Sequence, residues 1–305
     1  MAVKYFITGI SGFVGSELAI ALATLGYRVS GVDRAIPDDD TIKDFLSLGI
    51  DYTNLDLLER RALAPLLTDI DIVIHAAGVS RVSDARAKPV DCVSSTVLAT
   101  TNLIELVAAQ AESRDTNKPL FIYLSTREVS FYDRLDEVQV NVDHIYAISK
   151  RAAEQLILAF SNSFNIPSAI CRLSDVYGGK RDHVNKLLPT FVKRAKQNKL
   201  VRVFDNETRF HFTHIRDVID SILEIAEILQ KPGNAQKCFE IWSEESYTAE
   251  ELAALVVSAF KSDSKIDFAV PAVGESAKTI GFSYSEWQFT PRIRLREELC
   301  RLSDS

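Results

Sequence analysis

Apolar residues arrive in short bursts separated by polar or glycine-rich breaks. Val3-Lys-Tyr-Phe-Ile7 has the length of a buried strand, and Ser16-Glu-Leu-Ala-Ile-Ala-Leu-Ala-Thr-Leu25 has the length of an apolar helix. Arg28–Val32, Ile70–Ile74 and Pro119–Leu124 repeat the strand pattern. Between and after them, Val93 to Gln110 and His144 to Phe160 read as helices, the second with Ala147, Ala152, Ala153, Leu156 and Ile157 in its apolar pattern. Ile166 to Leu173 is a further strand, and Val176-Tyr-Gly-Gly179 breaks the chain after it. Strands alternating with helices over the first 175 residues imply right-handed crossovers and a parallel sheet. Beyond that point the pattern loosens. Residues 1–178, with returns at about 213–243, therefore form one predicted domain; 179–212 and 244–305 form a smaller C-terminal lobe.

The break between the first strand and helix is Thr8-Gly-Ile-Ser-Gly-Phe-Val-Gly15. Gly9, Gly12 and Gly15 at this spacing fit any tight turn. Between a buried strand and an apolar helix, however, they fit a phosphate site, where backbone must approach a pyrophosphate closely and the helix N-terminus offers unpaired N–H groups. The second strand ends at Asp33, where a dinucleotide fold places the acid for the ribose hydroxyls, although an ordinary turn acid would also sit there. Asp33 would repel a 2′-phosphate, so NAD is favoured, while the neighbouring Arg34 keeps NADP open as the lesser alternative. Ligands in open parallel sheets bind beyond the carboxyl ends of the strands. That rule lines one cleft with Gly9, Asp33, Ala76, Ala77, Gly78, Ser125 and Thr126.

Tyr146 and Lys150 stand four apart on a predicted helix and so share a face. A lysine near a phenol favours the phenolate and makes tyrosine a proton acceptor near neutral pH. The spacing also fits an exposed pair with no role. Its position on the helix after the Ser125-Thr126 strand selects the catalytic reading.

Composition narrows the picture only a little. The chain has 305 residues, 47% hydrophobic and 25% charged, which fits one large α/β domain with an appendage. A formal charge of −7 argues against nucleic acid, and Lys193 to Lys199 reads as a solvated helix face. Cys92, Cys171, Cys238 and Cys300 have neither zinc-ligand spacing nor a disulfide framework, and His211 and His214 would face opposite sides of a strand, so no metal site is expected. No segment reads as apolar and long enough to span a bilayer, and a first strand at Val3 leaves no room for a cleavable signal; a cytoplasmic location is the expectation.

The pieces Thr8-Gly-x-x-Gly-Phe-Val-Gly15, Asp33, Asp56-Leu57, His75-Ala-Ala-Gly78, Leu124-Ser-Thr-Arg-Glu-Val129, Tyr146-Ala-Ile-Ser-Lys150 with Ala152-Ala-Glu-Gln155, Arg172-Leu-Ser-Asp-Val-Tyr-Gly178 and His214-Ile-Arg-Asp-Val218 follow in family order. With them the chain resembles the extended branch of the short-chain dehydrogenase/reductases, in the NAD-dependent epimerase/dehydratase family. The resemblance implies a Rossmann-type doubly wound parallel sheet binding NAD, with Phe13 and Val14 in its glycine turn, and a substrate lobe that in most members holds a nucleotide-linked sugar. It implies Thr126 orienting the reacting group, Tyr146 as acid/base, Lys150 on the nicotinamide ribose, Asp33 on the adenine ribose, and Asp56 and Leu57 flanking the adenine. A homodimer through the two long helices is a further implication; plain core packing would explain their apolar residues equally well.

The departures bear on substrate. Family dehydratases follow the Thr with Asp-Glu, whereas this chain has Arg127-Glu128, which disfavours dehydration by the usual route because a guanidinium is a poor proton donor. Glu128 survives, as it does in some decarboxylases. Asp175 stands where Asn is common. Phe210 falls where an Arg meets the phosphates, with Arg209 one residue off register. Thr96 and Ser130-Phe131 also depart from the pattern. Ser125, Arg127, Asp175, Arg181 and Arg209 are candidate substrate residues, and Arg172 and Lys180 are further sources of positive charge. The favoured expectation is a nucleotide-sugar epimerase working through transient oxidation. The alternatives are a dehydrogenase or reductase of a non-nucleotide alcohol or ketone, and a non-catalytic NAD-binding sensor.

Overall fold

The structure is a computed structural model, and it describes residues 3–114, 117–204, 208–231, 237–268 and 287–303. The parts of the predicted C-terminal lobe at 205–207, 269–286 and 304–305 lie outside the described residues. The chain divides into two compact units, Met1–Arg172 with Ile219–Glu240, and Leu173–Val218 with Ile241–Ser305.

The first unit is built on a seven-stranded sheet. Its strands are β1 (Lys4–Thr8), β2 (Arg28–Asp33), β3 (Asp51–Asn54), β4 (Ile72–His75), β5 (Leu120–Thr126), β6 (Ser168–Leu173) and β10 (Lys237–Ile241), in the spatial order β10-β6-β5-β4-β1-β2-β3. β1 pairs with both β2 and β4 in parallel register, and β2–β3 and β4–β5 are parallel as well. The sheet therefore winds outward in both directions from β1, and a crevice opens beyond the carboxyl ends of β1 and β4. β5 is buried along its whole length because helices cover it. Phe121 and Tyr123 pack into a core with Leu103, Val107, Ala108, Ala153 and Ile157. Phe121, removed from water, contributes about 1.5–3 kcal/mol.

The two long helices differ in detail from the sequence reading. The first runs unbroken from Pro89 to Glu112 and widens to a π-helix at Ser94–Leu98. This continuous helix has the length and composition of a membrane span, at a mean hydropathy of 1.4, which corrects the expectation that no segment reaches that threshold. Half of the apolar stretch is buried in the fold, as in a core helix. The second runs Ile145–Phe164, four residues past the expected end, and stops where Asn165 takes a left-handed conformation (φ 51°) that ends helices readily.

In the second unit β7 (Asp175–Tyr177) pairs in parallel with β9 (Phe212–His214), and β8 (Val201–Val203) with β11 (Ile266–Phe268). Tyr177, Leu188, Phe191, Leu252, Val256, Leu295 and Leu299 form a separate core. The β7–β9 pairing is why Leu173–Gly178 belongs here rather than with the first 178 residues, and the return to the first unit runs Ile219–Glu240 rather than about 213–243.

Candidate active site

The glycine turn is tight because backbone takes the place of side chains. Gly9 has φ 70°, and a Cβ there would lie 2.7 Å from the Ala77 nitrogen. A Cβ on Gly15 would lie 2.1 Å from the Gly9 carbonyl oxygen, so the helix could not start so close to the turn. Gly12 caps the helix Phe13–Thr24 with no side-chain bond, and no acidic residue occupies the first turn, which leaves its N-terminal N–H groups and dipole suited to an anion. Phe13 and Gly15 are buried and Val14 half-buried in this turn.

Asp33 ends β2 and reaches back to the turn. One carboxylate oxygen accepts from the Ser11 N–H and the other from the Ala35 N–H, each at 3.0 Å, so the group is held in one orientation beside the glycines. The Ser11 hydroxyl donates to the Ala35 carbonyl at 2.9 Å, and Arg34 is exposed. Asp56 is half-buried, with one oxygen accepting from the Leu58 N–H. Leu57 is packed into the core with Val32 and Leu103, so its side chain serves packing. Ala76 and Ala77 continue β4 under Gly9, and Gly78 follows at φ 135°.

Lys150 and Thr126 stand at the carboxyl end of β5. Lys150 Nζ donates to the Leu124 carbonyl at 3.0 Å and lies 4.9 Å from the centre of the Tyr123 ring. Burial lowers its pKa to about 8, because the charged form loses its water. Tyr146, one turn earlier, is buried with Ala85 and Cys92. Thr126, two residues past Leu124, is buried and accepts from the Glu128 N–H at 3.3 Å. Arg127 is buried, and its Nε stands 4.0 Å from a carboxylate oxygen of the half-buried Glu128.

Two residues assigned to substrate or phosphate by sequence are occupied elsewhere. The Ser125 hydroxyl donates to Glu154 Oε1 at 2.6 Å. Arg172 grips both oxygens of Glu154, at 3.0 and 2.7 Å, and donates to the Ser130 hydroxyl at 2.9 Å. Burial works against the guanidinium charge, but the bonds and the charge of Glu154 outweigh it and hold the pKa above the ordinary value. Arg151, half-buried, joins Glu154 at 3.3 Å and the exposed Asp133 at 3.0 Å, so the buried Arg172–Glu154 pair runs out to the surface of the first unit.

In the second unit Arg209 is likewise engaged, donating to the Ser246 hydroxyl and carbonyl and to Glu251 Oε2 at 2.8, 2.9 and 3.1 Å. It is therefore fastened to the segment that leads into the helix Ala249–Ala259, while Phe210 bridges to Tyr247. Asp175 accepts from the His211 N–H at 3.3 Å; Arg181 is half-buried and Lys180 exposed. His211 and His214 are both buried, the first bonded through Nδ1 to the Ser243 carbonyl and the second accepting from the Arg216 N–H. Gly178 is explained by His214, whose Nε2 would lie 2.4 Å from a Cβ there. Among the described residues no group of three or more His, Cys, Asp or Glu is gathered as a metal site, and all four cysteines are free.

His75 was not singled out by sequence reasoning. It is fully buried and bonded on both ring nitrogens, to Thr8 and to Thr100; the only signal for it was its place in His75-Ala-Ala-Gly78.

The sequence profile of the NAD dependent epimerase/dehydratase family matches residues 5–237. A UDP-N-acetyl-alpha-D-glucosaminuronate decarboxylase of Bacillus cytotoxicus is 25% identical over 278 residues, covering 87% of this chain and 83% of that protein. UDP-glucuronic acid decarboxylase 4 of Arabidopsis thaliana is also 25% identical, over 87% of this chain but 59% of its own length. Among solved structures, UDP-glucuronic acid 4-epimerase from Bacillus cereus, in complex with UDP-glucuronic acid and NAD, superposes with a TM-score of 0.80 at 24% identity, covering 99% of this chain and 98% of that one. UDP-glucose 4-epimerase from Thermotoga maritima, with UDP-glucose, gives 0.82 at 19% identity with the same coverage.

Proposed function

Because the chain belongs to the NAD-dependent epimerase/dehydratase family, we propose that it is a nucleotide-sugar epimerase that inverts a secondary alcohol through a transient ketone. The observation that supports this reading is Lys150, buried and fixed on the Leu124 carbonyl two residues before the buried Thr126, with the buried Tyr146 one helical turn before it. The residues around the glycine turn fit NAD: a helix start without acid or side-chain cap for the diphosphate, and an oriented Asp33 carboxylate for the adenine ribose. NAD, when bound, supplies a reversible hydride acceptor.

The chain's own part is proton handling and orientation. Tyr146, as phenolate, takes the proton of the sugar hydroxyl while its C–H bond breaks, and returns that proton when the carbonyl is reduced on its other face. The Lys150 ammonium favours the phenolate by its charge. The Thr126 hydroxyl donates to the reacting oxygen and keeps it in line with Tyr146. Arg127 in place of an acid removes the proton donor that elimination of water would need. The relatives named above, which act on nucleotide sugars, support this substrate class.

A second reading is decarboxylation of a nucleotide-linked sugar acid. The retained Glu128 and the decarboxylase relatives favour it. Oxidation at C4 of a uronate gives a β-keto acid, which loses CO2 without an added acid. One experiment separates the readings: UDP-hexoses and UDP-hexuronates are incubated with the NAD-loaded protein and followed by NMR. Epimerisation without CO2 release supports the first, a pentose product the second, and no conversion of any nucleotide sugar defeats both. Tyr146→Phe should abolish turnover, by about 10²–10⁴-fold, while NAD is still bound.

A further inference from the structure

Beneath the glycine turn runs a row of polar groups, its side chains fully buried, whose donors and acceptors admit one consistent direction. The Ala77 N–H donates to Thr8 Oγ1 at 3.3 Å, and Thr8 Oγ1 lies 2.6 Å from His75 Nδ1. On the other side of the ring, His75 Nε2 lies 2.8 Å from Thr100 Oγ1, and the Thr100 hydroxyl donates to the Thr96 carbonyl. A carbonyl only accepts, so the single proton of Thr100 is committed to Thr96, and His75 must donate through Nε2. A neutral imidazole with its proton on Nε2 accepts at Nδ1, and the Thr8 hydroxyl supplies that proton. Thr8, His75, Thr96 and Thr100 have no solvent exposure. The ring is held between Phe121 and Tyr123, with centroids 6.0 and 5.3 Å away.

Both ends of the row border the site. Ala77 is the residue against which Gly9 packs. Thr96 lies in the π-helical segment Ser94–Leu98, and its hydroxyl is 3.4 Å from the point where a Gly78 Cβ would stand; Lys150 Nζ is 3.7 Å from the same point. The π turn is a local widening that a helix keeps only where its surroundings hold it, and such widenings cluster at functional sites.

We propose that His75 is a positioning residue for cofactor binding: through this neutral row it locks the floor of the glycine turn, at Ala77, to the π-helical segment beside Lys150. This rests on the reading that NAD occupies the glycine turn, and it assigns His75 no contact with cofactor or substrate. Burial keeps the imidazole neutral, with a pKa of about 3, so the row keeps its direction at neutral pH.

The test is NAD affinity together with the tautomer. His75→Phe keeps a ring between Phe121 and Tyr123 but removes both bonds; Thr8→Val and Thr100→Val each remove one link, and Thr100→Ser restores the hydroxyl. NAD dissociation constants of the purified proteins should rise about 10-fold for His75→Phe and Thr100→Val and return towards wild type in Thr100→Ser. Thr8→Val should add little in a His75→Phe background, because the link is already broken. ¹⁵N NMR of labelled wild type should show an Nε2–H imidazole from pH 5 to 9. Wild-type affinity in both His75→Phe and Thr100→Val, or an Nδ1–H tautomer, would overturn the proposal; if His75→Phe does not fold, the Thr100 pair decides. A wild-type protein that fails to bind NAD strikes the functional reading instead.

Discussion

Two polar networks, one buried throughout its side chains and one with a buried centre, stand under the carboxyl ends of the same sheet, and they are built on opposite principles. The row around His75 contains no charge and uses each donor once. The cluster around Glu154 joins Arg172, Arg151 and Asp133 by ion pairs, with Ser125 and Ser130 completing the bonds. The first lies below the glycine turn, where burial keeps the imidazole neutral. The second ties β5, β6 and the helix Ile145–Phe164 together, so that Thr126 and Lys150 are carried on a braced frame. A neutral network is sensitive to geometry and to imidazole protonation; a charged one is sensitive to the loss of either partner.

Glu154→Ala sharpens the comparison most. It leaves Arg172 buried without its bidentate partner and should cost about 3–5 kcal/mol, read as a fall in denaturant midpoint, whereas Thr100→Val in the neutral row should cost about 1–3 kcal/mol. Equal effects would erase the distinction.

Acid separates the networks next. His75 has a folded pKa of about 3 against 6.5 for an exposed imidazole, so above pH 6.5 neither state holds the proton and its stability contribution is complete. Below pH 6.5 the unfolded chain takes up the proton first. Stability then falls by about 1.4 kcal/mol per pH unit from this group, down to its folded pKa. Urea unfolding of His75→Phe between pH 7 and 5 should show a shallower slope than wild type; identical slopes would place His75 outside the neutral network.

Lys150→Met is the one substitution expected to raise stability. Its charge is held in a buried site that pulls the pKa down to about 8, a state the unfolded chain does not have to support. Between pH 8 and 10.5 the unfolded chain binds more protons, so stability from this group rises with pH and is lowest below 8. The substitution should raise stability at pH 7 by about 1–3 kcal/mol while removing turnover, the mark of a charge kept for chemistry rather than for the fold. A destabilised variant would move Lys150 to the side of Glu154, as a structural ion.

What could be read in the sequence was local. Gly9, Gly12, Gly15, Asp33 and the Tyr146–Lys150 pair are set by short spacings on one strand, turn or helix, and the order of strands places them in one crevice. What could not be read depends on partners far along the chain. Arg172 looked available for phosphate because Glu154, its partner, is eighteen residues earlier on another element. Ser125 is claimed by the same carboxylate, and His75 meets Thr8 across 67 residues. The π-helical widening at Ser94–Leu98 has no periodicity of its own, and the three-residue strands β7, β8 and β9 are too short to show one.

The central claim is transient oxidation of a nucleotide sugar with return of the same hydrogen. Its most direct test uses UDP-sugars carrying deuterium at C4, incubated with the purified NAD-loaded protein and analysed by NMR and by absorbance at the wavelength of NADH. The account predicts a C4 epimer that keeps its deuterium, with no NADH accumulating. Stoichiometric NADH with a stable keto product, or an epimer that has exchanged its C4 deuterium for solvent hydrogen, would contradict it.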